Sequence, residues 1–279
     1  MRTFRYVITD VFTDTPLTGN QLAVFTDARD LDTQTMQALA LEVGFSESVF
    51  VLSPESDGHV RIRIFTPTVE LPFAGHPTLG TAFVLAAPMQ LGVINIETGR
   101  GTVPVTLERE QSGKIIFGRM EQPVPTVEEV EGTEALLAAI GVEKADLPVE
   151  LYDNGATHIL VALESEEQVA GLRPDMAAIV ARGVTGVNCF AGSGNRWTTR
   201  MFWDAGEDAA TGSAAGPIAC HLARHGKIAW GEEIVISQGA ATGRPSTLYA
   251  RAEGSGGLID RVEVGGQAVT VARGEFHVP

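Results

Sequence analysis

Apolar and β-branched residues concentrate at positions 6–12 and 22–25, on either side of the turn-rich stretch TDTPLTGN, and this pattern predicts strand, loop, strand. Asp32 then precedes a run with apolar residues at helical spacing up to about residue 41, and Gly44 stands where a left-handed residue ends a helix. The chain leaves that helix through Phe45, Ser46 and Glu47, becomes a strand at about residue 48 and alternates again over 61–65. Ser46 and Glu47 are therefore expected at a helix-to-strand corner.

The stretch FTPTVELPFAGHPTLG, residues 65–80, runs from strand end into an alanine-rich helix expected over 77–87. Pro77 suits a helix start because its missing N–H would have no intrahelical partner there. A near copy, FWDAGEDAATGSAAG, opens at Phe202 and leads into a second helix expected over 214–224. Phe65 and Phe202, Glu70 and Glu207, Gly75 and Gly212 are all separated by one interval, close to half of the 279 residues. Gly19 before LAVF matches Gly155 before ILVAL, and INIETG matches IVISQG. A repeat of this length points to two duplicated lobes, not to a solenoid, and enzymes of that plan act in the cleft between lobes. The acidic, proline-bearing stretch 121–134 suits the connection.

Bulk composition narrows the function. A chain of this length is expected to split into two cores. With 44% hydrophobic and 20% charged residues, and no apolar run near the roughly 20 residues of a membrane span, neither disorder nor membrane insertion is expected. The first residues look like a strand and not a signal peptide, so a cytoplasmic protein is expected. A net charge of −15 argues against nucleic-acid partners, because there is no basic stripe to replace phosphate counterions. The same field repels anions at long range, so a carboxylate ligand would need local donors. Cys189 and Cys220 fit buried thiols better than a disulfide framework or a zinc site.

Local donors are available at the two helix starts, Gly75 and Gly212, where unpaired backbone N–H groups and the helix dipole attract an anion. His76 lies on the first turn of one helix, a setting expected to leave a neutral imidazole able to exchange protons near neutral pH. Asp208 lies in the loop before the other, either facing the ligand or capping the helix. Glu47 lies among Phe45, Val49 and Phe50, where desolvation would raise its pKa, as suits a base that must return its proton. His221 and His225 are one turn apart in HLARH but lack an evident third ligand, so no metal site is expected. No dinucleotide or Walker glycine pattern follows a strand, and no cofactor is expected.

Taken together, the Ser46-Glu47-Ser48 corner, FTPTVELPFAGHPTLG, NCFAGSGNRWTTRMF, EDAATGSAAG, HLARHG and GRPS closely resemble the phenazine-biosynthesis isomerase family PhzF over essentially the whole chain. The resemblance implies an α+β, diaminopimelate epimerase-like fold: two pseudo-symmetric lobes, each a curved, mostly antiparallel sheet wrapped around a central helix. It implies an N-terminal lobe of residues 1–120 plus 268–279, the last stretch returning as a strand, a C-terminal lobe of residues 121–267, and the active site in the cleft. It implies a cofactor-independent isomerisation of trans-2,3-dihydro-3-hydroxyanthranilate to 6-amino-5-oxocyclohex-2-ene-1-carboxylate by a homodimer. Glu47 would be the acid-base group, with His76 and Asp208 also catalytic and with Ser46, Gly75, Thr211, Gly212 and Ser213 binding the substrate. Epimerases of this fold use a cysteine at each helix start, whereas those positions here hold His76 and Ser213. The competing expectations are an isomerase or epimerase of another small carboxylic acid and, from another class, a carboxylate-binding or scaffold protein. A hydrolase built on Ser213, His76 and Asp208 is a more distant alternative.

Overall fold

The computed structural model describes residues 1–278 and divides into two compact units, Met1–Glu121 with the C-terminal stretch from Gly265, and Gln122–Val264. The first unit contains β1 (Arg2–Val11), β2 (Asn20–Phe25), α1 (Thr33–Val43), β3 (Glu47–Leu52), β4 (Val60–Phe65), β5 (Glu70–Leu71), α2 (Gly75–Met89), β6 (Val93–Thr98), β7 (Gly101–Arg109) and β8 (Ile115–Gln122). The second contains β9 (Thr126–Glu129), α3 (Thr133–Ile140), β10 (Glu150–Asp153), β11 (Thr157–Ala162), α4 (Glu166–Gly171), α5 (Met176–Val180), β12 (Gly186–Ser193), β13 (Arg196–Trp203), β14 (Gly206–Asp208), α6 (Gly212–Arg224), β15 (Glu233–Gln238) and β16 (Ser246–Ser255). β17 (Leu258–Gly266) leads back to β18 (Ala268–Val278), which pairs antiparallel with β1 from Arg2 opposite Val278 to Val11 opposite Ala268.

Local chemistry accounts for α1. The Asp32 side chain accepts from the Thr35 N–H at 2.7 Å, and Gly44 adopts φ 69° and donates its N–H to the Ala40 carbonyl. The helix then hands the chain to β3, which pairs parallel with β2. In contrast, the acidic stretch expected as a plain connection contains β9, antiparallel to β10. Its Thr and Val make it a strand once β10 is available as a partner, a tertiary condition that its composition hides.

Each unit packs a central helix on one face of its strands and other helices on the opposite face, α1 alone in the first unit and α3, α4 and α5 in the second. In the first, Ala23 and Phe25 of β2 pack with Met36 and Leu39 of α1, and Phe50 stacks on Phe25 with ring centroids 4.6 Å apart. The alternate residues Asn20 and Leu22 point the other way, toward α2. In the second, Ile159, Val161, Val187 and Phe202 form a core with Leu136 and Ile140 of α3, Val169 of α4 and Ile179 of α5, while His158 faces α6. Burying each such Leu, Ile, Val or Phe contributes about 1.5–3 kcal/mol.

The two central helices are enclosed on every side over most of their length, with His76 and Thr78 of α2 and Ser213 and His221 of α6 among the buried residues. α2 is buried from Gly75 through Phe83, and α6 from Gly212 through Ala223. A glycine in each second turn permits the close approach. A Cβ on Gly80 would lie 2.7 Å from side-chain atoms of Leu22 and Val11, and one on Gly216 would strike Gln122 and Val262. No helix is long and apolar enough to cross a membrane among the described residues.

Candidate active site

The start of α2 gathers a polar cluster inside the first unit. Glu47 is the first residue of β3, and the parallel register sets it opposite Leu22 of β2, so its side chain shares the face that looks onto α2. The Glu47 carboxyl is only 14% exposed and lies with Oε2 3.5 Å from Nε2 of His76, itself 4% exposed. Asn20 bridges the cluster: its Nδ2 is 3.3 Å from His76 Nδ1, and its Oδ1 accepts from the Ser46 hydroxyl at 3.3 Å. The structure thus brings Ser46, Glu47, Gly75 and His76 together, and it adds Asn20, which the sequence did not single out.

His76 differs from expectation in its proton chemistry. Burial pushes the imidazole down to about 3, with a hydrogen bond to the Gln21 backbone only partly offsetting it. The ring is therefore neutral throughout the ordinary range and does not exchange protons near pH 7. Enclosure by the sheet, more than the helix dipole, sets its state. A neutral imidazole beside Glu47 leaves the carboxyl as the group in this cluster that can take and return a proton.

The start of α6 gathers the second unit's cluster. Ser213 Oγ is 2.9 Å from Nε2 of His158, and His158 Nδ1 is 3.2 Å from Nδ2 of Asn188. Asn154 donates to the Ser213 carbonyl at 2.9 Å, and Gln122 donates to the Gly212 carbonyl at 2.8 Å. Asp208 ends β14, and its Oδ2 accepts from the Thr211 hydroxyl at 2.7 Å. Gln238 holds that corner by accepting from the Thr211 N–H at 3.0 Å and donating to the Thr211 hydroxyl at 2.9 Å and to the Asp208 carbonyl at 3.1 Å. The residues at the N-cap positions of α2 and α6, Ala74 and Thr211, give no side-chain hydrogen bond to their helices, and Asp208 meets the start of α6 through the Thr211 hydroxyl. A helix start carries the positive end of the helix dipole, which favours an anion.

The two clusters correspond through strand register. β11 and β12 are parallel with Leu160 opposite Asn188, as β2 and β3 are with Leu22 opposite Glu47. Asn188 thus occupies the position of Glu47, His158 that of Asn20, and Ser213 that of His76. Of the paired strand positions one holds a carboxyl and the other an amide, so this position carries an acid-base group in the first unit's copy and not in the second's. His158 and Gln238 carried no functional signal in the sequence, and Asn188 entered only as the first residue of NCFAG with no role of its own, because single polar residues in apolar strands acquire meaning only through partners far along the chain.

Other expectations resolve outside these clusters. Cys189 and Cys220 are free and fully buried, and burial pushes both thiols up to about 12. HLARH does meet a third group, contrary to expectation: Glu150 Oε2 lies 3.1 Å from His221 Nδ1 and 3.2 Å from His225 Nε2. The same oxygen accepts from Arg224 at 2.6 Å and from the Tyr152 hydroxyl at 3.0 Å. Burial opposes ionisation of Glu150, but the bonds from His221 and His225 outweigh it and bring the carboxyl down to about 2. The carboxylate oxygen shared by the two histidines is already paired with the Arg224 guanidinium, so the group works as an ion-paired brace.

Residues 9–274 match the family described as PhzC-PhzF, phenazine biosynthesis-like protein. The chain belongs to that family. Among relatives of this PhzC-PhzF protein, trans-2,3-dihydro-3-hydroxyanthranilate isomerase of Pseudomonas aeruginosa is 50% identical over 98% of this chain and 99% of its own. The isomerase of the same name from Pseudomonas fluorescens is 48% identical over 96% and 98%. A PhzF-family phenazine biosynthesis protein of Bacillus anthracis superposes with a TM-score of 0.85 at 25% identity, covering both chains fully. A hydroxyproline epimerase of Agrobacterium vitis, 12% identical with a TM-score of 0.71 over 99% of this chain and 91% of its own, shares the fold. The fold is therefore the α+β, diaminopimelate epimerase-like one.

Proposed function

We propose that this protein is a cofactor-independent isomerase that converts trans-2,3-dihydro-3-hydroxyanthranilate to 6-amino-5-oxocyclohex-2-ene-1-carboxylate in phenazine biosynthesis. The observation that carries the reading is full-length identity of about half to relatives named for that activity. The half-buried carboxyl of Glu47 beside a neutral His76 supplies chemistry suited to it. Glu47 takes the proton from the hydroxyl-bearing ring carbon, and the electron pair left behind moves through the conjugated diene to the carboxyl-bearing carbon. Glu47 returns the proton there, giving an enol, and tautomerisation of the enol yields the ketone. No atom is gained or lost.

In this reading His76 and Ser46 orient the substrate beside Glu47, Asp208 receives its amino group, and Gly75, Gly212 and Ser213 receive its carboxylate at a helix start. Thr211, whose hydroxyl donates to Asp208, aims that carboxylate. The PhzF resemblance further supports a cytoplasmic homodimer acting on a small carboxylic acid, an assembly that the mass in solution reads directly.

The test is to add trans-2,3-dihydro-3-hydroxyanthranilate to the purified protein in deuterated buffer and follow the ring protons by NMR. Substrate loss, with the migrating hydrogen partly kept at the carboxyl-bearing carbon, is the expected result. Unchanged substrate before folded protein would favour another small acid, and ligand-induced stabilisation without product would favour a binding protein. A second check concerns Asp208→Ala, which should lower kcat/KM about a hundredfold while costing a few degrees of melting temperature at most. A large stability loss with unchanged turnover would make Asp208 a structural residue.

A further inference from the structure

The second unit holds a buried polar chain that ends on Ser213, the serine read above as receiving the carboxylate: Asn188, His158 and Ser213, with 0%, 0% and 7% of their surfaces exposed. Its hydrogens can be assigned from donor and acceptor chemistry. The Asn188 Nδ2 that faces His158 Nδ1 at 3.2 Å has only hydrogens to give, so Nδ1 must accept. Burial pushes the His158 imidazole down to about 3, so the ring is neutral and carries its one hydrogen on Nε2. That Nε2–H lies 2.9 Å from Ser213 Oγ and donates to it. The Ser213 hydroxyl, having accepted, keeps its own hydrogen for an acceptor outside the chain.

Turning the Asn188 amide would reverse every bond and make Ser213 a donor to His158, the polarity of an activated nucleophile. The surroundings disfavour this. Asn188 Oδ1 is a buried oxygen without a hydrogen-bond partner. In the turned amide both hydrogens would occupy that unpartnered position, and orphaned buried N–H groups are rarer than under-satisfied carbonyls.

We propose that His158, held by Asn188, is a positioning residue that fixes Ser213 as a hydrogen-bond donor to the substrate carboxylate. This rests on the isomerase reading above. The arrangement also explains how a chain with a net charge of −15 receives an anion: the donor is oriented before the ligand arrives, so no reorganisation is needed on binding. It equally accounts for a histidine beside a serine that is not a nucleophilic pair.

Two measurements test it. First, nitrogen-15 NMR of the His158 ring in resting wild-type protein reads the tautomer without any turnover. Hydrogen on Nε2 is expected, and hydrogen on Nδ1 would overturn the proposal while leaving the isomerase reading intact. Second, steady-state kinetics with trans-2,3-dihydro-3-hydroxyanthranilate are compared among wild type, His158→Leu, His158→Gln, Ser213→Ala and the Leu/Ala double variant. His158→Leu should raise KM about tenfold with kcat within about twofold, and His158→Gln, which keeps an N–H toward Ser213, should recover most of it. In the Ser213→Ala background His158→Leu should add little, because the serine through which it acts is gone. Independent, additive effects, or a fall in kcat with KM unchanged, would overturn the assignment. Wild-type protein inert toward this substrate overturns the isomerase reading and this one together, and if the variants fail to fold, the tautomer decides.

Discussion

Replacing Glu47 with glutamine is expected to lower kcat for trans-2,3-dihydro-3-hydroxyanthranilate by about a thousandfold, within the 10²–10⁴ range that a positioned acid-base group contributes. KM should move far less, because the amide keeps the size of the carboxyl and most of its hydrogen bonding. The size of the effect follows from what surrounds the position. His76 is the nearest group with a basic nitrogen, 3.5 Å away, and burial holds it at about 3, so it cannot substitute as a base near pH 7. Ser46 and Asn20 complete the cluster and neither can carry the proton. The second unit offers no duplicate, since the register puts the amide of Asn188 where the first unit has the carboxyl. Melting temperature should change little, because glutamine can start β3 as glutamate does. Turnover of Glu47→Gln near the wild-type rate, measured by ultraviolet absorbance or NMR, would overturn the single-base mechanism.

What was legible in the sequence is what short stretches determine alone. Asp32 and Gly44 bracket α1 because capping is a contact between residues three or four apart. The helix starts at Gly75 and Gly212 could be located because a duplicated strand-to-helix turn leaves its glycines in step. Burial of Cys189 and Cys220 follows from their apolar neighbours. What escaped depends on contacts across the fold. Glu150 lies about 70 residues before the histidines it braces, and nothing near it marks it as their partner. His158 looks like one polar residue in an apolar strand until α6 brings Ser213 to it. The neutral ring of His76 was legible from the helix dipole, but its inability to exchange protons near pH 7 was not, because the enclosing sheet that desolvates the ring is invisible in the sequence. β9 was hidden by acidic composition until β10 gave it a partner.

Those buried histidines also predict an acid limit to stability. His76 and His158 are held at about 3 in the folded chain against 6.5 for an unperturbed imidazole, and His221 is shifted down as well, chiefly by burial. Because the folded values are depressed, the unfolded chain binds protons first as pH falls. Stability is therefore full above about 6.5 and is lost progressively from there down toward 3. At pH 5 each of His76 and His158 should cost about 2 kcal/mol relative to pH 7.5, roughly 4 kcal/mol together. Glu150 adds little down to pH 5, since its carboxyl, lowered to about 2, begins to lose its contribution only below the ordinary value of 4.5. Reduced self-repulsion as the net charge of −15 shrinks acts in the opposite direction, so the histidine contribution is isolated by difference. Chemical denaturation at pH 7.5, 6 and 5 should show wild-type stability falling more steeply than that of His158→Gln, by the linkage of about one proton below pH 6. Because His76 belongs to the first unit and His158 to the second, neither unit is spared, and the variant should flatten the pH dependence only in the transition of the second unit where the two unfold separately. Equal slopes for wild type and variant would mean that His158 takes up its proton in the folded chain, and the neutral, Nε2-protonated ring inferred for it would fall with that result.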